Sequence, residues 1–407
     1  MQQPGIIKYT EYKGTVVDKK TKKPLVFATI VVEESNISTV TNTEGAFSLK
    51  IPKEETAKNI LISFLGYKSK RIPLAKLQEK NTTIFLNVSV TQLTEIKISA
   101  PKDAKKLVRE TLSKKGENYF TDPTIMTAFY RETIKKRKKN ISLSEAVVNI
   151  YKAPYTSTRK DAVQLFKTRK STDYTKMDTV ALKLQGGPFN ALYLDIIKYP
   201  DYIFDEQSIE NYKFTFERAT VINNKDIYVI RFKQKEHINT PLYAGTLFID
   251  PVNKVLTSAS YALNISNRVQ AAKMFVRKKP KNAKVWPTEI TYRVTYKEKN
   301  NRWYYGYSSV FMEFKINWSK KLFNSVYSMR CEMAVTDWNK NKTNAKPNAK
   351  EKIKTSIILS EEAVGFSDPN FWGEYNIIEP EKSIETAIKK IKKQLKRSQN
   401  KKKTSSL

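Results

Sequence analysis

Between Tyr212 and Leu263, apolar and polar side chains alternate with a period of two, interrupted by turn residues. Tyr228, Ile230 and Phe232 fall on one side of this register, and Ile227, Val229 and Arg231 on the other. Successive side chains of an extended chain point to opposite faces, so the alternation predicts strands. Asn223-Asn224-Lys225 separates the first runs. Asp250-Pro251-Val252-Asn253 separates the last, with Pro251 presetting φ and Asn253 suited to the left-handed position that ends such a turn. The stretch reads as a β-meander.

Upstream, Lys13–Asp18, Leu25–Val32, Ile60–Tyr67, Lys68–Leu74, Thr82–Leu86 and Leu93–Ser99 read as strands. Thr39–Leu49 reads as a hairpin with Gly45 where φ is positive. Short strands at this spacing predict a β-sandwich over residues 12–99, after a lead-in at 1–11. Downstream, Lys160–Arg169, Trp286–Lys297, Trp303–Trp318, Ser325–Trp338 and Lys352–Leu359 extend the meander, so residues 120–378 form one large antiparallel β-domain. Helices are few. Asp103 caps one within a linker and helix at 100–119, with Leu107, Val108, Thr111 and Leu112 on one face. A second is expected after the Gly186-Gly187-Pro188 turn, carrying Leu192, Leu194, Ile196 and Ile197, in an irregular stretch suited to cover the sheet. Ser383 caps a C-terminal helix over 379–397, and the basic tail at 398–407 is expected to be disordered. The fold class is mainly β: a sandwich of about seven strands, then a large antiparallel sheet with a few covering helices.

The order Gly14-x-Val16-x-Asp18, Thr21-x-x-Pro24-Leu25, Ala28, Thr43-x-Gly45-x-Phe47 and Phe64-x-Gly66-Tyr67 resembles the carboxypeptidase-like regulatory domain, a transthyretin-like sandwich. The resemblance spans about residues 12–98 and departs at Val40, where the family often carries glycine. It implies a non-catalytic module at the front of a Bacteroidetes envelope protein. Asn118-Tyr119-Phe120, Phe129-Tyr130-Arg131-Glu132, Glu145–Tyr151 and Asp368–Asn376 also resemble segments of Bacteroidetes proteins that carry this module. Val229–Phe232, Gly245–Asp250 and Val255–Leu263 are similar to the central strands of periplasmic lipoprotein carriers and sorting proteins. That second resemblance implies a strongly curved half-barrel with an apolar concave face plugged by helices.

Composition changes the picture in three ways. A formal charge of +34 raises nucleic acid as a partner, but Lys outnumbers Arg about four to one and the lysines are spread along the chain. Base and phosphate recognition favours the Arg fork, so a solvated surface, an anionic membrane surface or acidic glycans fit better. The densest internal run is Lys135-Lys136-Arg137-Lys138-Lys139. Cys331 is the sole cysteine, which excludes an intrachain disulfide and a Cys-based zinc site. The N-terminus has neither a basic n-region nor an apolar h-region, which fits a cytosolic chain or one whose leader has been removed.

Candidate chemistry is thin. The lone His237 has no Ser or Cys partner by motif, and no metal or nucleophile signature is present. Arg131 and Glu132 are adjacent on a strand and point to opposite faces, so each is expected to pair with other strands. Gly186-Gly187-Pro188 lacks the Lys-Ser/Thr of a phosphate loop. No catalytic, metal or cofactor residue is assigned, and no cofactor is expected. The candidate apolar ligand face comprises Tyr228, Phe232, Phe248, Tyr261, Tyr292, Tyr296, Phe311 and Phe314, with Tyr305 a further aromatic there. Three readings follow. One is an envelope binder of a lipid-like or lipoprotein ligand, at the periplasm or outer membrane. The second is an envelope protein-interaction scaffold with a filled core. The third, remote, is a cytosolic nucleic-acid binder.

Overall fold

The structure is a computed structural model that describes residues 8–89, 103–172, 184–217, 219–222, 225–319, 322–362, 364–365 and 371–386. The chain is mainly β. Seven strands build the front module: β1 (Tyr9–Asp18), β2 (Thr29–Val32), β3 (Ser38–Val40), β4 (Ala46–Pro52), β5 (Asn59–Ser63), β6 (Lys70–Pro73) and β7 (Thr82–Leu86). They form two sheets, β4-β1-β7 and β3-β2-β5-β6. Val16, Ile30, Phe47, Leu49, Ile60, Ile62 and Ile84 fill the space between them. Gly45 takes φ +71°, and an added Cβ would meet the Val16 carbonyl at 2.7 Å, so glycine is required there. Thr39–Leu49 is not a hairpin. β3 pairs with β2 and β4 pairs with β1, so the turn at Gly45 carries the chain from one sheet to the other. The strand expected at Leu93–Ser99 lies outside the described residues.

Helices α1 (Ala104–Ser113) and α2 (Lys115–Asn118) follow, the first capped by Asp103 Oδ1 accepting from the Lys105 and Lys106 amides at 2.9 and 3.1 Å. Strands β8 (Thr124–Lys136), β9 (Lys139–Lys152), β10 (Ala162–Thr172), β11 (Tyr212–Phe216), β12 (Thr220–Ile222), β13 (Lys225–Gln234), β14 (Tyr243–Asp250), β15 (Val255–Leu263), β16 (Ala283–Lys299), β17 (Arg302–Trp318), β18 (Ser325–Lys340) and β19 (Val364–Gly365) make one sheet. Its order is β11-β13-β14-β15-β16-β17-β18-β8-β9-β10-β19, with β12 also on β13. The pairings are antiparallel except β10 with β19. Among the described residues the further α-helices are α3 (Phe189–Leu192), α4 (Arg268–Phe275), α5 (Leu359–Glu362) and a helical stretch at 382–386.

The sheet is curled, and simple reach shows it. Tyr199 hydrogen-bonds Asp161, just before β10, while Phe204 packs edge-on against Phe232 of β13. Eight strand spacings separate β10 from β13, roughly 38 Å if flat. Five residues of chain reach only about 17 Å, plus two aromatic side chains. The two margins must therefore bend toward residues 184–211, which lie along the concave side. One large core fills this side. The front module sits on the convex side: Val40 and Phe27 join Phe129, Val147, Tyr307 and Ala334 of the sheet, together with Trp372, Ile377 and Ile378 from the end of the chain.

Three local expectations change. The strand read at Lys352–Leu359 is replaced by one isolated bridge, Gln164 to Lys352, and by α5, because β10 instead pairs with β19. The left-handed residue after Asp250-Pro251 is Lys254 (φ +58°) and not Asn253. Asp250 Oδ1 accepts the amides of Val252 and Asn253 at 2.9 and 3.1 Å, which shifts the tight corner one residue on. The helix after Pro188 spans only Phe189–Leu192, and its successors are turns.

Candidate functional site: the concave face and its open end

Strand alternation divides the eight aromatic residues read as a ligand face. Tyr228, Phe232, Tyr261, Tyr292, Tyr296 and Phe314 belong to the concave side. Phe248 alternates with Leu247 and Ile249 of the concave core, and Phe311 with Val310 and Met312, so both point to the convex side, where Phe311 stacks near Arg330 at 5.3 Å. Along the middle of the concave face the chain covers itself. Phe204 touches Tyr212, Phe214 and Phe232, and Leu192, Ile196, Ile197 and Ile203 join the same core. Tyr305 donates to or accepts from Ser308 Oγ at 2.6 Å, and Ser308 Oγ donates to the Ala191 carbonyl at 2.8 Å.

A buried polar clasp fixes this cover. Lys152, the last residue of β9, places Nζ 2.8 Å from both Asp161 Oδ2 and Asp195 Oδ2. Tyr155 donates to Asp195 Oδ2 at 2.9 Å and Tyr296 to Asp195 Oδ1 at 3.0 Å, while Tyr199 donates to Asp161 Oδ2 at 2.7 Å. Burial opposes the charge on Lys152, but the two carboxylates outweigh it and hold the ammonium above its ordinary range. Lys198 donates to the Pro154 and Ser157 carbonyls at 2.7 and 2.5 Å, and burial pulls it down to about 8. One cation facing two carboxylates is tolerable in the interior because three phenols supply the remaining hydrogen bonds. The clasp escaped the sequence reading, although one signal was present: Asp195 interrupts the apolar run Leu192–Ile197.

The convex side carries a second charged cluster. Arg131 Nε donates to Glu145 Oε1 at 2.7 Å, Nη1 to Glu332 Oε1 at 3.3 Å and Nη2 to the Ile378 carbonyl at 2.7 Å. Arg169 Nε donates to Glu145 Oε2 at 2.7 Å, and its guanidinium lies 4.7 Å from the Trp372 ring. Arg131 thus pairs across strands, as its register predicts. Glu132 points to the other face. It accepts from the Tyr130 hydroxyl at 3.0 Å, and burial raises its carboxyl to about 8. Cys331 is buried beside it and its thiol is pushed up by desolvation, which makes it unreactive. At the seam with the front module, Lys297 Nζ donates to Ser38 Oγ at 2.6 Å and the Val335 carbonyl at 2.8 Å, and burial lowers it to about 7. His237 is exposed, and among the described residues no group of three His, Cys, Asp or Glu side chains is placed to hold a metal.

At one end of the sheet the 184–211 cover gives way to α4, whose Ala271 and Phe275 join the same core. There Tyr261 and Tyr292 stack at 5.0 Å and 18°, and Tyr243 meets both edge-on at 5.5 and 5.7 Å. Tyr243 and Tyr292 are only partly buried. Beside the ends of β13, β14 and β15 opens a depression of about 750 Å³, lined in part by Gln234, Ile238, Pro241, Asn264 and Val269.

Residues 12–98 match the family model of the CarboxypepD_reg-like domain. The front sandwich is such a domain. The match covers 87 of the 407 residues (12 to 98) and leaves the large sheet outside it. No curated protein matches the chain. Among solved structures, an outer membrane lipoprotein-sorting protein domain from Vibrio parahaemolyticus is 10% identical at TM-score 0.25, covering 59% of this chain and 94% of that one. A LolA superfamily protein from Nitrosomonas europaea is 11% identical at TM-score 0.22, covering 59% and 97%. A membrane-associated protein of unknown function from Bacteroides fragilis is 10% identical at TM-score 0.16, covering 81% and 97%. Scores this low carry no argument about function.

Proposed function

We propose that the chain is a non-catalytic binding protein of the cell envelope, working in the periplasm or at the outer membrane. It receives a lipid-like ligand, or the acylated end of a lipoprotein, at the α4 end of the concave face, where Tyr243 and Tyr292 are only partly buried. One observation carries this reading: the cluster of buried Tyr261 with the partly buried Tyr243 and Tyr292, next to a depression of about 750 Å³. Small-molecule sites commonly occupy roughly 300–1,000 Å³ and combine aromatic walls with a few polar groups. The depression itself is lined mainly by polar and charged groups, among them Gln234, Lys235, Glu236, Asn264, Asn267 and Arg268, and the tyrosines stand beside it. The resemblance of the front module to envelope proteins supports the compartment. The test is native mass spectrometry and solvent extraction of the full chain recovered from an envelope fraction. Co-purifying lipid, lost in Tyr292→Ala, is the expected result. A chain free of lipid that also fails to bind a fluorescent fatty-acid analogue removes the reading.

The second reading, an envelope interaction module with a filled core, is favoured by a different observation. Residues 184–211 already occupy most of the concave side and are held there by buried ion pairs. In that case the aromatic end is core packing and Tyr292→Ala alters stability alone.

A further inference from the structure

Strand alternation sorts the connections of the large sheet to two opposite ends. The β13–β14 loop, the β15–α4–β16 connection, the β17–β18 turn and the β8–β9 turn all lie at one end. Backbone hydrogen bonds tie the last three together: Ser319 N donates to the Asn282 carbonyl at 3.1 Å, and Arg137 N donates to the Val326 carbonyl at 2.9 Å. The direct hydrogen bonds of the front module to the sheet run to Lys297, Val335 and Trp338, toward the other end of β16 and β18. Glu381, which accepts from Thr43, reaches Lys135 at 3.6 Å and leaves Arg137, Lys138 and Lys139 exposed.

This free end has an unusual surface. Leu322 is 96% exposed and Phe323 78% exposed at the tip of the β17–β18 turn. On α4, Val269 is 68% and Met274 50% exposed. Cations surround them. Residues 264–284 carry seven Lys and Arg (Arg268, Lys273, Arg277, Lys278, Lys279, Lys281, Lys284) and no acid, and all five residues of 135–139 are basic. Arg137, Lys138 and Lys139 are exposed on the neighbouring turn.

We infer that this end docks on an anionic bilayer surface, with Leu322 and Phe323 entering the acyl boundary while the flanking cations meet the headgroups. Apolar insertion combined with clustered Lys and Arg is the physical requirement for such binding. A solvated basic surface would not need two adjacent large apolar side chains held in water. A second copy of the chain would bring two strongly positive ends together, and nucleic acid would leave Leu322 and Phe323 without a partner. The inference stands whether or not the concave face holds a ligand.

The experiment is co-sedimentation of the full chain with phosphatidylglycerol–phosphatidylethanolamine vesicles, against phosphatidylcholine vesicles. Binding only to the anionic vesicles is expected. The double variant Leu322→Ser/Phe323→Ser, at exposed positions that the fold does not use, should lose affinity at least roughly tenfold. Arg137→Gln/Lys138→Gln/Lys139→Gln should lose less, and the loss should fade at high salt. Absence of wild-type binding, or an apolar double variant that binds like wild type, overturns the inference. So does concentration-dependent self-association of the wild type that the double variant abolishes, which would make a second copy the occupant. Duplex DNA binding that only the charge variant removes, with no vesicle binding, would reassign the surface to nucleic acid.

Discussion

The two faces of the large sheet are both covered along their middle, but by different means. On the convex side a folded domain is seated against the strands, and the charges beneath it balance: Arg131 and Arg169 against Glu145 and Glu332. On the concave side a stretch of irregular chain is laid across the strands, fixed by a mixed cluster in which Lys152 serves both Asp161 and Asp195 and three phenols complete the hydrogen bonds. Regular elements satisfy their own backbone groups and can rest on apolar contact. An irregular segment cannot, so side-chain phenols and carboxylates must supply the fixing. The convex seam should therefore behave as a cooperative unit with the sheet, and the concave cover as a locally separable one.

The largest test of this contrast is Arg131→Ala. It leaves Glu332 without its ion pair and Glu145 with Arg169 alone beneath the front module, and should cost about 3–5 kcal/mol in chemical denaturation. Burial alone raises a carboxyl, and Glu145 is held below its ordinary value only because Arg131 and Arg169 outweigh desolvation, so the loss should be milder in acid. Next is Asp195→Ala, expected to cost about 3 kcal/mol. Its signature is regional: amide exchange should accelerate across 184–211 while β1–β7 keep their protection. If both regions loosen together, the cover is not a separable unit. Asn376→Ala should cost roughly 1–2 kcal/mol, because that side chain accepts from the Lys50 amide at 2.7 Å and donates to the Lys50 carbonyl at 2.9 Å, closing the seam like an extra strand.

The smallest test is a pair of pH slopes with opposite signs. Lys297 on the convex seam is lowered by burial to about 7, so folding releases its proton between about 7 and its ordinary value of 10.5. Stability should rise with pH across that window, by on the order of 1 kcal/mol per unit, and Lys297→Met should remove its share, most visibly between about 7 and 8, below the contribution of Lys198. Glu132 on the concave side is raised by burial to about 8 from 4.5, so folding takes up a proton. Stability should fall as pH rises through 4.5–8, and Glu132→Gln should flatten that slope.

The strands β13 to β18 were legible in the sequence because one side chain in two is apolar and the turns between them carry Pro, Asn or Asp. Face assignment was legible only in part. Phe248 and Phe311 are as aromatic as Phe232 and Phe314, and only their register against Leu247 and Met312 puts them on the other side. The clasp was not legible. Asp161 and Asp195 are 34 positions apart, and they share one ammonium because the sheet curls, which no local pattern encodes. The Thr39–Leu49 turn was misread for a related reason. A Gly-centred turn between two apolar runs looks the same whether the strands pair or part. The C-terminal helix could be followed only to residue 386, with Ile384 buried, and its later residues lie outside the described ones.

The seam also sets an order of events during synthesis. The last described strand of the front module ends at Leu86, yet the segment that fastens it, Trp372 to Ile378, comes almost 300 residues later. At about 5–20 residues per second, the ribosome takes roughly 15–60 s to reach it. Throughout that interval Phe27 and Val40 face solvent or an unfinished sheet. The front domain thus waits for a segment made long after it, and the nascent chain is exposed to misassembly at that surface until Trp372 to Ile378 emerge.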